Sequence, residues 1–188
     1  MSLPRIVAFS GSQKRPSRTR TLVEAVGAEL ARHRRIDLKV LDLIDAGPGL
    51  AVASREALPL PAARLIEAIE GADALIVGTP VYQGSYAGLF KHVLDFLDPA
   101  TMVGKPVVLT ATGGGLRHAL VVEHGLRPLF GFFAAHIAPT SVYAGPGEIE
   151  DGAIVDPGVA ERVAAAGREL ALLLDTAART TRHAAPAA

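Results

Sequence analysis

The sequence predicts an α/β domain in which five parallel strands form a sheet covered by helices on both faces. Apolar, β-rich runs (IVAF at 6–9, ALIVG at 74–78, VVLTA at 107–111) recur along the chain and are separated by segments with apolar residues at helical spacing. Those runs lack polar alternation, as strands buried on both faces require. The chain has 188 residues, of which 49% are hydrophobic, enough for one domain with a substantial core.

The first strand is PRIVAF, residues 4–9. Thr21 to His33 follows as a helix, with Leu22, Val23, Val26 and Leu30 on one face. Residues 37–43 (DLKVLDL) alternate, and this second, more polar strand suits a sheet edge. A loop with Gly47, Pro48 and Gly49 leads to a helix near 61–70, which opens on a proline in its first turn. Residues 73–79 form the third strand. Residues 85–97 read as a helix that gathers Leu89, Phe90, Val93, Leu94 and Leu97, with Lys91 and Asp95 spaced as an i,i+4 ion pair. Residues 106–112 are the fourth strand, 116–133 a long helical pattern interrupted by Pro128, and 138–144 the fifth strand. A last helix covers about 158–174. Residues 1–175 are thus expected to form a single domain, with 176–188 a disordered tail. The strand order expected is 2-1-3-4-5, the flavodoxin-like three-layer sandwich.

Composition narrows the function. Nineteen basic residues balance nineteen acidic ones, and there is no Trp, so nucleic acid is not expected as a partner. With no cysteine, disulfides, thiolate nucleophiles, Fe–S clusters and Cys-ligated zinc are excluded. No apolar run reaches the roughly 18–20 residues that span a bilayer, and the N-terminus lacks a signal-peptide core, so a cytoplasmic protein with no membrane partner is expected. No H-E-x-x-H occurs, and His118 and His124 do not share a helix face, so no metal site is expected. Packing or interface roles are expected for His92, His118 and His124, and solvent for Arg15 and Arg117.

In a sheet of this order, ligands bind beyond the carboxyl ends of the strands, where the order reverses. The loop after the first strand, GSQKRPSRTR, carries Ser10, Ser12, Ser17 and Thr19 as hydroxyl donors and Arg18 as a fixed charge, and it runs into a helix N-terminus. It has neither the G-K-[ST] of a triphosphate loop nor the G-x-G-x-x-G of a dinucleotide fold, and reads as a seat for one phosphate. The competing reading is ordinary capping by Ser17 or Thr19. After the third strand, Pro80, Val81 and Tyr82 offer extended backbone and an aromatic edge to a planar ring; a rigid turn with a half-buried tyrosine is the plainer reading. After the fourth, Thr112, Gly113 and Gly114 let a flat ligand approach the backbone closely, although glycines also serve flexible connections. A phosphate seat beside a slot for a flat ring matches FMN.

GSQKRPSRT, TPVYQGSYAGLFKHVLD, and ATGG followed by RHAL and LRPLF together resemble the NAD(P)H-dependent FMN reductase family, over about residues 5–144. The likeness is to the SsuE and MsuE type, the reductases of two-component alkanesulfonate monooxygenase systems. The resemblance implies hydride transfer from NADH or NADPH to FMN, with NADH favoured. It also implies a homodimer or homotetramer, and reduced FMN (FMNH2) delivered to a separate monooxygenase. By motif match, Ser10, Ser12, Ser17, Arg18 and Thr19 would hold the phosphate. Pro80, Val81 and Tyr82 would line the isoalloxazine ring, with Thr112, Gly113 and Gly114 on its other side. No catalytic side chain is implied, because the hydride passes directly between the two rings. One position departs from the SsuE pattern: the fourth helix there carries a tyrosine inserted in a π-bulge, whereas this chain reads VVEHGLRP with His124 in that place, as in the MsuE branch. A π-bulge at His124 is therefore a hypothesis that an uninterrupted α-helix through 120–127 would rule out. The alternatives are a quinone, azo or chromate reductase holding FMN tightly, a non-enzymatic flavodoxin-like electron carrier, and a binding module that has lost its ligand.

Overall fold

The computed structural model describes residues 3–184. In chain order its elements are β1 (Arg5–Ser10), α1 (Arg18–His33), β2 (Asp37–Asp42), α2 (Leu60–Glu70), β3 (Ala74–Tyr82), β4 (Ser85–Tyr86), α3 (Gly88–Asp95) and β5 (Pro106–Thr112). A π-helical turn (Val122–Leu126), α4 (Arg127–Phe132), β6 (His136–Ile137), β7 (Val142–Ala144), β8 (Ile149–Glu150), β9 (Ala153–Ile154) and α5 (Pro157–Ala184) follow.

β2, β1, β3 and β5 pair in parallel in that order, and both β6 and β7 pair with β5. Counting β6 and β7 as one interrupted fifth strand gives the order 2-1-3-4-5. Alternation along β1 explains the three layers. Ile6 and Ala8 face one way, into a cluster with Leu22, Val23 and Val26 of α1 and Val163, Ala166 and Leu170 of α5. Val7 and Phe9 face the other, toward Leu65, Ile66 and Ile69 of α2, Phe90 and Val93 of α3 and Phe130 of α4. Buried Lys105 donates to the carbonyls of Ile69 (3.0 Å) and Glu70 (2.8 Å), satisfying the exposed end of α2. Lys91 and Asp95 form the expected ion pair.

Five elements differ from the sequence reading. Ser85 and Tyr86 are not helical: Gln83 (φ 49°) and Gly84 (φ 83°) turn the chain back, and β4 pairs antiparallel with the end of β3, Tyr82 opposite Ser85. Two successive left-handed residues are what a two-residue hairpin needs. The fifth strand is split. Ala138 still donates its N–H to the Val107 carbonyl (2.8 Å), but Pro139 has no N–H to give, and the Thr140 N–H and hydroxyl both donate to Glu169, each at 2.7 Å, so 139–141 leave the ladder. α1 starts at Arg18, three residues before the apolar pattern shows it, because Ser17 caps it. α5 runs on to Ala184, past the apolar pattern's end; residues 185–188 of the expected disordered tail lie outside the described residues.

The segment 116–133 is not one helix. After a 3-10 turn at Leu116–His118, the chain forms the π-turn Val122–Leu126, with the Arg127 N–H donating to the carbonyl of Val122, five residues back. Pro128 follows in the first turn of α4, where a missing N–H costs little. Glu123 fixes the turn: it accepts from Arg127 (2.5 and 3.0 Å) and from the Ser141 hydroxyl (2.6 Å). Those hydrogen bonds, from Arg127 first, outweigh burial and bring the Glu123 carboxyl down to about 2 from 4.5. A depressed carboxylate stabilises the fold above its unfolded pKa, and the gain is lost as pH falls from there through about 2. Because the Glu123 side chain is 40% exposed, the gain is screened to about 1 kcal/mol. Glu123→Gln is expected to lower the melting temperature at neutral pH, with the gap to wild type closing on acidification in a thermal-melt series.

Candidate functional site

A cleft of about 370 Å³ opens beyond the carboxyl ends of β1, β3 and β5. The loop after β1 lines it with Ser12, Lys14, Pro16, Ser17, Arg18 and Thr19, the end of β3 with Pro80, Val81 and Tyr82, and the end of β5 with Thr112, Gly113 and Gly114. The structure thus brings together every candidate residue except Ser10, and adds Lys14 and Pro16. Ser10 is wholly buried, and its hydroxyl accepts from the Ser12 N–H (3.4 Å) beneath the loop. A larger depression of about 640 Å³ (Leu3, Arg5, Ile36, Asp37, Asp73) lies at the amino ends of β1 and β2, away from the crevice this topology forms.

The first wall is packed against the core at its root. The Gly11 N–H donates to the carbonyl of Gly78 (2.7 Å), and a Cβ on Gly11 would stand 2.8 Å from Phe90, so only glycine fits there. The Ser12 hydroxyl closes a small turn, accepting from the Lys14 N–H (3.4 Å) and donating to the Lys14 carbonyl (3.3 Å). Both readings of Ser17 hold. Its Oγ caps α1 by accepting from the Arg20 N–H (3.2 Å), and a hydroxyl that accepts keeps its proton to donate into the cleft. Thr19 bonds to Thr112 across the cleft floor, oxygen to oxygen at 2.6 Å, joining the first and third walls. Arg18 donates to the carbonyl of Gly145 (3.3 Å) while lining the cleft.

Arg15 is not left to solvent. Its Nε meets Asp42 Oδ2 at 2.6 Å and one terminal nitrogen meets Asp42 Oδ1 at 2.9 Å and Asp45 at 2.8 Å. Arg20 meets the same Asp42 at 2.8 Å and Glu24 at 2.8 Å. Burial alone would push the Asp42 carboxyl up, but the hydrogen bonds from Arg15 and Arg20 prevail and hold it below the usual carboxylate range. Arg117 instead pairs its Nε with the neighbouring His118 ring (3.2 Å).

The second wall is the β3–β4 hairpin. Thr79 locks it, its hydroxyl accepting from the Ala87 N–H and donating to the Pro80 carbonyl, each at 3.0 Å. Tyr82 stands at the rim, 54% exposed. The third wall rests on Tyr143, whose hydroxyl donates to the carbonyl of Gly115 (2.6 Å), and whose oxygen would lie 2.4 Å from a Cβ on Gly113. Burial raises the Tyr143 pKa, which keeps its proton on this bond. The sequence does not single out Asp42 or Tyr143; an acid at the carboxyl end of the edge strand (VLDLID) is the one available hint of the first.

Hydroxyl and cationic donors of the first wall share this cleft with the hairpin and with glycine backbone. That donor set fits a ligand with one terminal phosphate and a flat ring, as FMN has. Among the described residues, no group of three or more His, Asp or Glu side chains is placed to hold a metal ion. The family model described as NADPH-dependent FMN reductase matches residues 4–148. The chain is similar to the NADH-dependent FMN reductase SfnF of Pseudomonas fluorescens, 45% identical over 178 residues that cover 94% of this chain and 95% of the relative. An FMN reductase (NADPH) of Pseudomonas aeruginosa is 43% identical over 170 residues, 90% of this chain and 91% of its own. The solved apo form of an NADH:FMN oxidoreductase (EMOB) superposes with a TM-score of 0.75 at 31% identity, over 90% of this chain and 89% of that one. By the extent of these matches, and with the three walls meeting in one cleft, the chain belongs to the NADPH-dependent FMN reductase family.

Proposed function

We propose that the cleft seats FMN with its phosphate at Ser12, Ser17, Arg18 and Thr19 and its ring between Pro80–Tyr82 and Thr112–Gly114. The observation that carries this reading is the meeting of those three segments in one cleft. Family membership makes the chain an NAD(P)H-dependent FMN reductase. Bound FMN supplies the ring that accepts the hydride, so the protein's task is placement. Ser17 donates to a phosphate oxygen, Ser12 does so by turning its proton away from the Lys14 carbonyl, and Arg18 balances the phosphate charge. Gly113 and Gly114 offer backbone without side-chain bulk, and the Tyr143–Gly115 bond keeps that backbone in place. Pro80 and Val81 cover the opposite side and exclude water from it, and Tyr82 forms the rim.

NADH is the favoured donor in this proposal. The relative at 45% identity is named NADH-dependent, and Arg15, a candidate for the extra phosphate of NADPH, is committed to Asp42 and Asp45. The product is reduced FMN for a separate flavin-dependent sulfonate monooxygenase, and the working form is a homodimer or homotetramer. Exposed Leu116 and Leu120, just ahead of the π-turn that holds His124, support the oligomer. NADH and NADPH oxidation, followed with FMN as varied acceptor, tests the reading. Saturable dependence on added FMN is expected, with kcat/KM higher for NADH. A flavin retained through purification, with no response to added FMN, would favour the quinone or azo reductase instead.

A further inference from the structure

Four cations, Lys14 and Arg15 in the loop after β1 and Arg18 and Arg20 in the first turn of α1, crowd together, yet the structure treats them differently. Arg18 and Lys14 line the cleft. Arg15 and Arg20 point to one carboxylate, Asp42, whose side chain is 0% exposed. Asp42 closes β2 and pairs in register with Ser10, the last residue of β1, so it sits at the base from which the loop departs. Its Oδ1 also accepts from the Ile44 N–H (2.9 Å), which fixes the carboxylate itself. Asp45 adds a second acceptor for Arg15, and Glu24 one for Arg20. The two arginines flank the loop's cleft-lining stretch: Arg15 precedes Pro16 and Ser17, and Arg20 follows Arg18 and Thr19. The Arg20 N–H is also the one that Ser17 caps.

We propose that Asp42 is the positioning residue of the phosphate seat. By holding Arg15 and Arg20 it pins both ends of the stretch 16–19, so Ser17 and Arg18 are aimed before the phosphate arrives. A loop fixed in its bound shape is spared the ordering cost of binding. Arg15 and Arg20 act through Asp42 and do not touch the ligand. The inference rests on the reading of the cleft as an FMN seat, and it predicts an effect confined to the phosphate.

The test compares dissociation constants for FMN and riboflavin, by quenching of flavin fluorescence, in the wild type, Asp42→Asn, Arg15→Gln and the double variant. Arg15 is 43% exposed and its loss leaves the Arg20–Asp42 pair, so Arg15→Gln stays informative if Asp42→Asn does not fold. Each single variant is expected to weaken FMN by about tenfold to a hundredfold, the scale on which partners of a liganding group act. Riboflavin should stay within about twofold, since a factor of two is only a few tenths of a kcal/mol. The double variant should lose no more than Asp42→Asn, because the two residues form one unit. Equal weakening of FMN and riboflavin would show a merely structural role and overturn the proposal. So would an unchanged FMN constant in Arg15→Gln, or extra loss in the double variant, which would place Arg15 on the phosphate itself. A wild type that binds riboflavin as tightly as FMN would instead remove the FMN-seat reading, a separate failure.

Discussion

Phe90→Ala is expected to destabilise the protein by about 3–5 kcal/mol, the cost of emptying a large aromatic site in a packed core. Phe90 is fully buried and stacks on Phe9 with ring centroids 5.7 Å apart and planes 11° from parallel; Tyr86 leans on it at 6.5 Å. It therefore joins β1, α3 and the β3–β4 hairpin. The same ring is the floor against which Gly11 packs. The cavity would thus lie under the root of the phosphate loop and beside the hairpin, and both FMN and riboflavin should bind less tightly. Urea unfolding checks the stability and flavin quenching the affinity. Phe90→Leu, which keeps most of the volume, should cost under about 2 kcal/mol. A loss within about 1 kcal/mol for the alanine variant would show that the core relaxes around the site, and that the loop does not depend on this ring.

Gly113→Val is expected to weaken flavin binding without regard to the phosphate. A Cβ at residue 113 would sit 2.4 Å from the Tyr143 hydroxyl, which is itself held by Gly115 at 2.6 Å. Either the strand end moves into the cleft or the tyrosine leaves its carbonyl, and overpacking of this kind costs about 1–3 kcal/mol. At one factor of ten for each 1.4 kcal/mol, FMN and riboflavin should both lose about tenfold or more. Gly114 has no protein atom near the same point, so Gly114→Ala should cost far less stability than a side chain at 113. Pairing Gly113→Ala with Tyr143→Ala, which removes the obstructing ring, should recover part of the affinity. Failure of that rescue would mean that the glycine serves something other than close approach to Tyr143.

The three walls were legible because each sits at the carboxyl end of a strand, where chain direction alone directs the reader. Ser17, Arg18, Pro80 and Gly113 are also residue types whose local chemistry shows in isolation. What supports the walls was not legible. Asp42 meets Arg15 across 27 residues and Tyr143 meets Gly115 across 28, and nothing in local composition pairs them. The apolar period of Phe90 and Val93 extends backwards over Ser85 and Tyr86, and Gln83-Gly84 is not among the dipeptides that mark a two-residue hairpin, although both adopt positive φ. The split fifth strand depended on Glu169, an acceptor in a distant helix. The π-turn at His124 was reached through family likeness; the apolar period around Pro128 suggested only an interruption.

Dissociation constants for FMN and riboflavin, measured side by side in the wild type and in Arg18→Ala, test most directly whether the loop after β1 is a phosphate seat. The wild type should prefer FMN. Arg18→Ala should lose about tenfold or more for FMN, the worth of a hydrogen bond to a charged group, and almost nothing for riboflavin. A wild type indifferent to the phosphate, or an Arg18→Ala variant that loses both flavins equally, would contradict it.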